Sequence, residues 1–150
     1  MYKLFFEDLE VGREVTFGSY KVTKEEVIEF AQKYDPQYFH TDEELAKKSV
    51  FGGLCASGWH TSAMLMRMMV DRMADEGLAG LGSPGIDNLR WLKPVFPGDT
   101  LSATAKLLEK RDSKSRPELG LVKDHTTVFN DKGEKLMEVT SNYMVAKRPR

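Results

Sequence analysis

Apolar and polar positions change their spacing along the chain, and each change marks an element. Between Glu14 and Val22 they alternate loosely, with β-branched and aromatic residues, and predict a first strand after the Val11-Gly12 turn. Val27, Ile28, Phe30, Ala31 and Tyr34 then recur at helical spacing, predicting an amphipathic helix from Lys24 to Tyr34. Thr23 stands three residues before Glu26, the spacing of a capping box that satisfies two amides at a helix start. Pro36 limits the helix because the residue before a proline is pushed out of helical backbone, so Asp35 falls at or just past the C-terminus. A short helix from Asp42 to Lys48 is predicted behind the Thr41-Asp42 start signal. Asp35 and His40 are thereby expected in one short loop, with His40 held between two helix ends.

Small residues fill Phe51-Gly52-Gly53-Leu54-Cys55-Ala56-Ser57-Gly58, a loop in which backbone can approach another group closely. It lacks the lysine and spacing of a phosphate-binding loop. Ser57 is a good N-cap, and from Trp59 to Ala74 the apolar residues cover most of the helical circumference, predicting a helix buried nearly all round. Gly77, Gly80, Gly82, Pro84 and Gly85 break that pattern, and strand and turn signals follow. Strands are expected at Ile86 to Val95, at Thr100 to Lys110 with Leu101, Ala103, Ala105 and Leu107 on one face, at Leu119 to Phe129 and at Glu134 to Val145. Phe96-Pro97-Gly98-Asp99 reads as a tight turn and Asn130-Asp131-Lys132-Gly133 as a hairpin connection. Strand, helix, loop, apolar helix and four strands define an α+β chain whose antiparallel sheet curls around one helix.

Length and charge narrow the possibilities. The 150 residues suffice for one sizeable core, and no shift in composition divides them, so residues 1–150 read as a single domain. A net charge of -1 offers nothing to a polyanion, which argues against nucleic acid. The most apolar run is interrupted by Arg67, Asp71 and Arg72 too soon for a bilayer span, and the first residues carry too short an apolar run for a signal peptide. With the lone Cys55 unable to form an internal disulfide, a reduced, cytoplasmic setting is expected.

The candidate chemistry lies between Tyr34 and Val70. A carboxylate at a helix C-terminus meets the negative end of the dipole, which raises its pKa, although an aspartate before a proline also commonly begins a turn. His60, in the first turn of the long helix, reads as possible pocket lining or as a hydrogen-bonded structural residue, and the mid-strand His125 as structural. The methionines suit either core packing or a channel for a flexible chain. No residues suggest a metal site.

Asp35-Pro36-Gln37-Tyr38-Phe39-His40, with Phe51-Gly52-Gly53, Ser57-Gly58 and Lys93-Pro94-Val95-Phe96-Pro97-Gly98-Asp99-Thr100, resembles the MaoC-like dehydratases, the (R)-specific enoyl-CoA hydratase group. The resemblance implies a hot-dog fold, an antiparallel sheet wrapped around a long central helix, in dimers or higher homo-oligomers. Asp35 and His40 keep the family's separation of five residues. Gln37 and Tyr38 stand where the family usually has Asn and Pro, Tyr34 replaces a small residue, and Ser57 replaces a histidine.

The implied reaction is reversible hydration of a 2-enoyl-CoA to a 3-hydroxyacyl-CoA, with coenzyme A as part of the substrate and no other cofactor. Such a reaction needs a base for water, an acid for Cα and a donor for the enolate oxygen. Asp35 and His40 are expected to hold a water between them, each tuned towards neutral pH. The Gly58 amide is the expected oxyanion donor, its missing side chain letting the thioester approach. Phe39, Gly53, Ser57, Trp59 and His60 are the expected pocket, with Arg67, Arg90, Lys93 and Arg116 available to the phosphates. An acyl-CoA thioesterase and a non-catalytic acyl-binding or partner subunit are the alternatives.

Overall fold

The computed structural model describes residues Met1–Arg150. Strand β1 (Glu14–Lys21) leads into helix α1 (Lys24–Tyr34), the short helices α2 (Tyr38–Thr41) and α3 (Glu43–Ala46), and the long helix α4 (Gly58–Glu76). Strands β2 (Gly80–Trp91), β3 (Thr100–Asp112), β4 (Leu119–Phe129) and β5 (Lys135–Ala146) follow. The strands form one antiparallel sheet in the order β1-β3-β4-β5-β2. Met64, Leu65 and Met68 of α4 pack on Leu101 and Ala103 of β3, Val128 of β4 and Leu136, Met137 and Val139 of β5, the main core. This is the hot-dog arrangement, α+β.

Helix α1 has the expected bounds, but its start uses only half of a capping box. Thr23 Oγ1 accepts the Glu26 N–H at 3.2 Å, while the Glu26 carboxylate turns away to accept from the Tyr20 hydroxyl at 2.5 Å and meets His60 Nε2 at 3.1 Å. Two tertiary partners outcompete the local amide. Between α1 and the glycine loop the chain makes two single turns, with Asp42 capping the second through a 3.0 Å bond from the Leu45 N–H. His40 is thus helical, its N–H bonded to the Gln37 carbonyl at 2.9 Å.

Strand β2 starts six residues earlier than the glycines suggest and stops before Pro94. Its register against β5 slips at Gly80/Gly82, Gly82/Gly85 and Asp87/Arg90, with positive φ at Gly82, Gly85 and Asn88. Of the glycines that read as breaks, Gly77 does end α4 in left-handed backbone, whereas Gly80, Gly82 and Gly85 sit at the bulges of an edge strand.

Helix α4 is not enclosed on every side. His60, Thr61, Met64, Leu65 and Met68 face the core, whereas Trp59, Met66 and Val70 are 61%, 54% and 49% exposed on the opposite face. Leu81, Ile86 and Trp91 of the edge strand are exposed as well. One polar pair links neighbouring strands at a buried carboxylate: the Tyr143 hydroxyl of β5 donates to Oδ2 of the buried Asp124 of β4 at 2.9 Å. Burial pushes the Asp124 carboxyl above its ordinary value, against the opposing pull of Tyr143 and Arg72. No helix is long and apolar enough to cross a membrane.

Candidate active site

Asp35 caps the C-terminus of α1, and its N–H closes on the Ala31 carbonyl at 2.8 Å. Five residues on, His40 turns inward from α2 with its side chain only 7% exposed. Its Nδ1 lies 2.6 Å from the Cys55 carbonyl oxygen, which can only accept, so Nδ1 carries a proton. That bond leaves Nε2 facing Asp35 Oδ2 at 3.5 Å. The contact is too close for a water on the line joining them, which needs about 5 Å between heavy atoms. A water bonded to both would lie beside the pair, in the adjoining cavity.

Two further donors hold the carboxylate. Ser57 Oγ donates to Asp35 Oδ2 and Gln37 Nε2 to Oδ1, each at 2.7 Å. The Ser57 hydroxyl also accepts the Trp59 N–H at 3.3 Å, so one side chain caps α4 and fixes Asp35. Burial raises the Asp35 pKa, but the hydroxyl, the amide and the charge of protonated His40 outweigh it and keep the group below the usual aspartate value. The expected drift towards neutrality does not occur for Asp35, because these donors favour the charged form more than partial burial disfavours it. It is a carboxylate at neutral pH.

The pair opens on a cavity of about 380 Å³ lined by Asp35, Gln37, Phe39, His40, Phe51, Cys55, Ala56, Ser57, Gly58, Trp59, Trp91 and Pro94. Gly58 is the first residue of α4, and its N–H donates to no protein acceptor. Its bare α-carbon, however, is covered by protein: a Cβ there would stand 2.5 Å from Cδ2 and Cε2 of Trp91. The missing side chain makes room for an indole. Trp91 also meets Trp59 edge-on, with centroids 5.1 Å apart.

Phe39, Ser57, Trp59 and Gly58 line this cavity as expected from sequence, and Gly53 and His60 do not. Gly53 faces Phe96, whose Cε1 would be 3.7 Å from an added Cβ. His60 follows Gly58 by two residues, about 200° around a helix, and so points the other way. It stacks on Phe30 at 4.7 Å and lines a separate cavity with Tyr20 and Glu26. Burial holds its pKa below the ordinary histidine value in spite of Glu26. Arg67, Arg90, Lys93 and Arg116 all lie off this cavity. Phe51 and Pro94, which stand in motifs of the family resemblance but were not expected in the pocket, also belong to it, and Trp91 does so without any signal in local sequence.

A hot-dog sheet around a helix whose capped start adjoins a buried histidine paired with a half-buried aspartate defines the class. A family model, the MaoC like domain, matches residues 7–129. The chain belongs to the MaoC-like dehydratase family. It is 39% identical to the MaoC-like dehydratase from Rhodospirillum rubrum, whose crystal structure matches with a TM-score of 0.87 over 99% of this chain and 100% of that one. The uncharacterised protein YdeM of Bacillus subtilis is 31% identical over 134 residues, 88% of this chain and 92% of YdeM. The 3-hydroxyacyl-thioester dehydratase Z of Mycobacterium tuberculosis is 33% identical over 92 residues, 61% of each protein.

Proposed function

We propose that the protein catalyses the reversible hydration of a 2-enoyl-CoA to a 3-hydroxyacyl-CoA. The observation that carries this reading is the 3.5 Å approach of His40 Nε2 to Asp35 Oδ2 at the wall of a cavity that also contains Gly58. A water beside the pair gives up a proton to it as the oxygen adds to Cβ, and the pair returns a proton to Cα. Both groups stand on one wall, so hydroxyl and proton reach the same face of the double bond. The Gly58 N–H, at the positive end of α4, stabilises the enolate oxygen of the thioester. Relatives that act on 3-hydroxyacyl thioesters support the substrate class.

Loss of the conjugated enoyl absorbance measures hydration, and free thiol release measures the competing thioesterase reaction. Asp35→Asn and His40→Ala are expected to lower hydration by about two to four orders of magnitude while the fold persists. Unchanged hydration in both variants would overturn the assignment, and thiol release without hydration would replace it with the thioesterase.

The working unit in this reading is a homodimer. Trp59, Met66 and Val70 are exposed on α4, and Leu81 and Ile86 on β2, which is an edge strand of the sheet; in this reading a second copy of the chain covers them.

A further inference from the structure

We infer that Gln37 is a positioning residue for the reaction, fixing Asp35 and His40 relative to one another from the position between them. The inference rests on the hydratase reading for its kinetic consequences, but its geometry stands alone. Three separate groups of Gln37 are engaged. Its side-chain Nε2 donates to Asp35 Oδ1 at 2.7 Å, its N–H donates to the Asp35 carbonyl at 2.8 Å, and its carbonyl accepts the His40 N–H at 2.9 Å. One residue thus binds the carboxylate of one partner and the backbone of both.

The side-chain bond has a directional consequence. Ser57 occupies Oδ2, the oxygen nearest His40, and Gln37 occupies Oδ1, so the carboxylate cannot rotate about its last bond without breaking two hydrogen bonds. Each oxygen keeps one further lone pair for water. His40 is the only ionisable group acting appreciably on Asp35, while Ser57 and Gln37 supply dipoles. Gln37 is itself exposed, so its amide can be removed with little effect on the core.

The test compares Gln37→Leu, which keeps the bulk and loses the donor, with Gln37→Asn, which keeps a donor amide. In Gln37→Leu the Asp35 carboxyl, followed by carbon-13 NMR on the resting protein, is expected to titrate about half a pH unit higher than in the parent, a value reduced by the exposure of the bond. The rate constant kcat should fall about tenfold with KM little changed, the acid limb of the pH profile should move with the NMR titration, and Gln37→Asn should recover part of both. An Asp35 titration unmoved in Gln37→Leu would overturn the inference. Movement of that titration in a protein that hydrates no enoyl thioester would leave the positioning role standing and remove the hydratase reading instead.

Discussion

The indole of Trp91 lies flat against the α-carbon of Gly58, leaving no room for even a methyl group at the first position of the central helix. Trp91 is 44% exposed, so it can swing outwards when pushed, and the cost of Gly58→Ala is expected at the low end for overpacking, about 1 kcal/mol. A fall in Tm of about 3 °C and a red shift of tryptophan fluorescence would report it. The 3.3 Å bond from Trp91 Nε1 to Ser62 would be lost in the same movement.

His60 makes stability depend on pH. Its folded pKa is depressed by burial, so the unfolded chain takes up the proton first, and stability falls as pH drops through the ordinary histidine value of roughly 6.5. His60→Gln, which keeps a donor amide for Glu26, is expected to flatten urea-unfolding free energies between about pH 6.5 and pH 5. A slope as steep as the parent's would refute the assignment to His60.

Asp124 acts with the opposite sign. A carboxyl whose folded pKa is raised stabilises the fold when protonated, and that contribution is lost as pH rises from the ordinary aspartate value through the raised one. Asp124→Asn keeps an acceptor for the Tyr143 hydroxyl and carries no charge to desolvate. At neutral pH it should raise Tm by about 3 °C, corresponding to ~1 kcal/mol.

The exposed face of α4 predicts the behaviour of a charge placed on it. Met66→Glu should convert a dimer into a monomer of 17.0 kDa by light scattering, because a carboxylate at a dimer seam would be buried without a partner. A parent protein that is monomeric at every concentration would exclude the dimer.

Local chemistry made much of this fold readable. Thr23 and Pro36 bracket α1, Ser57 starts α4, and Asn130 closes the β4–β5 connection by accepting the Lys132 and Glu134 amides through one side-chain oxygen. The departures share one cause, which is that partners distant in sequence decide them. Glu26 abandons its cap for Tyr20 and His60, and β2 keeps pairing through its glycines because β5 supplies the ladder. An apolar stripe on α4 announces burial without saying by what. Asp35 and His40 were legible together because only four residues separate them, whereas Trp91 reaches Gly58 from the opposite end of a strand and no spacing could place it.

The cavity's components divide along the chain. Its ionisable and amide groups all come from the stretch between Asp35 and Gly58, while Trp91 and Pro94 arrive from the far side of the sheet edge. In the proposed hydratase, substitutions at those two positions would therefore reshape the room given to an acyl group with Asp35 and His40 left in place. Selectivity, on that proposal, becomes a trait that mutation can retune separately from reactivity.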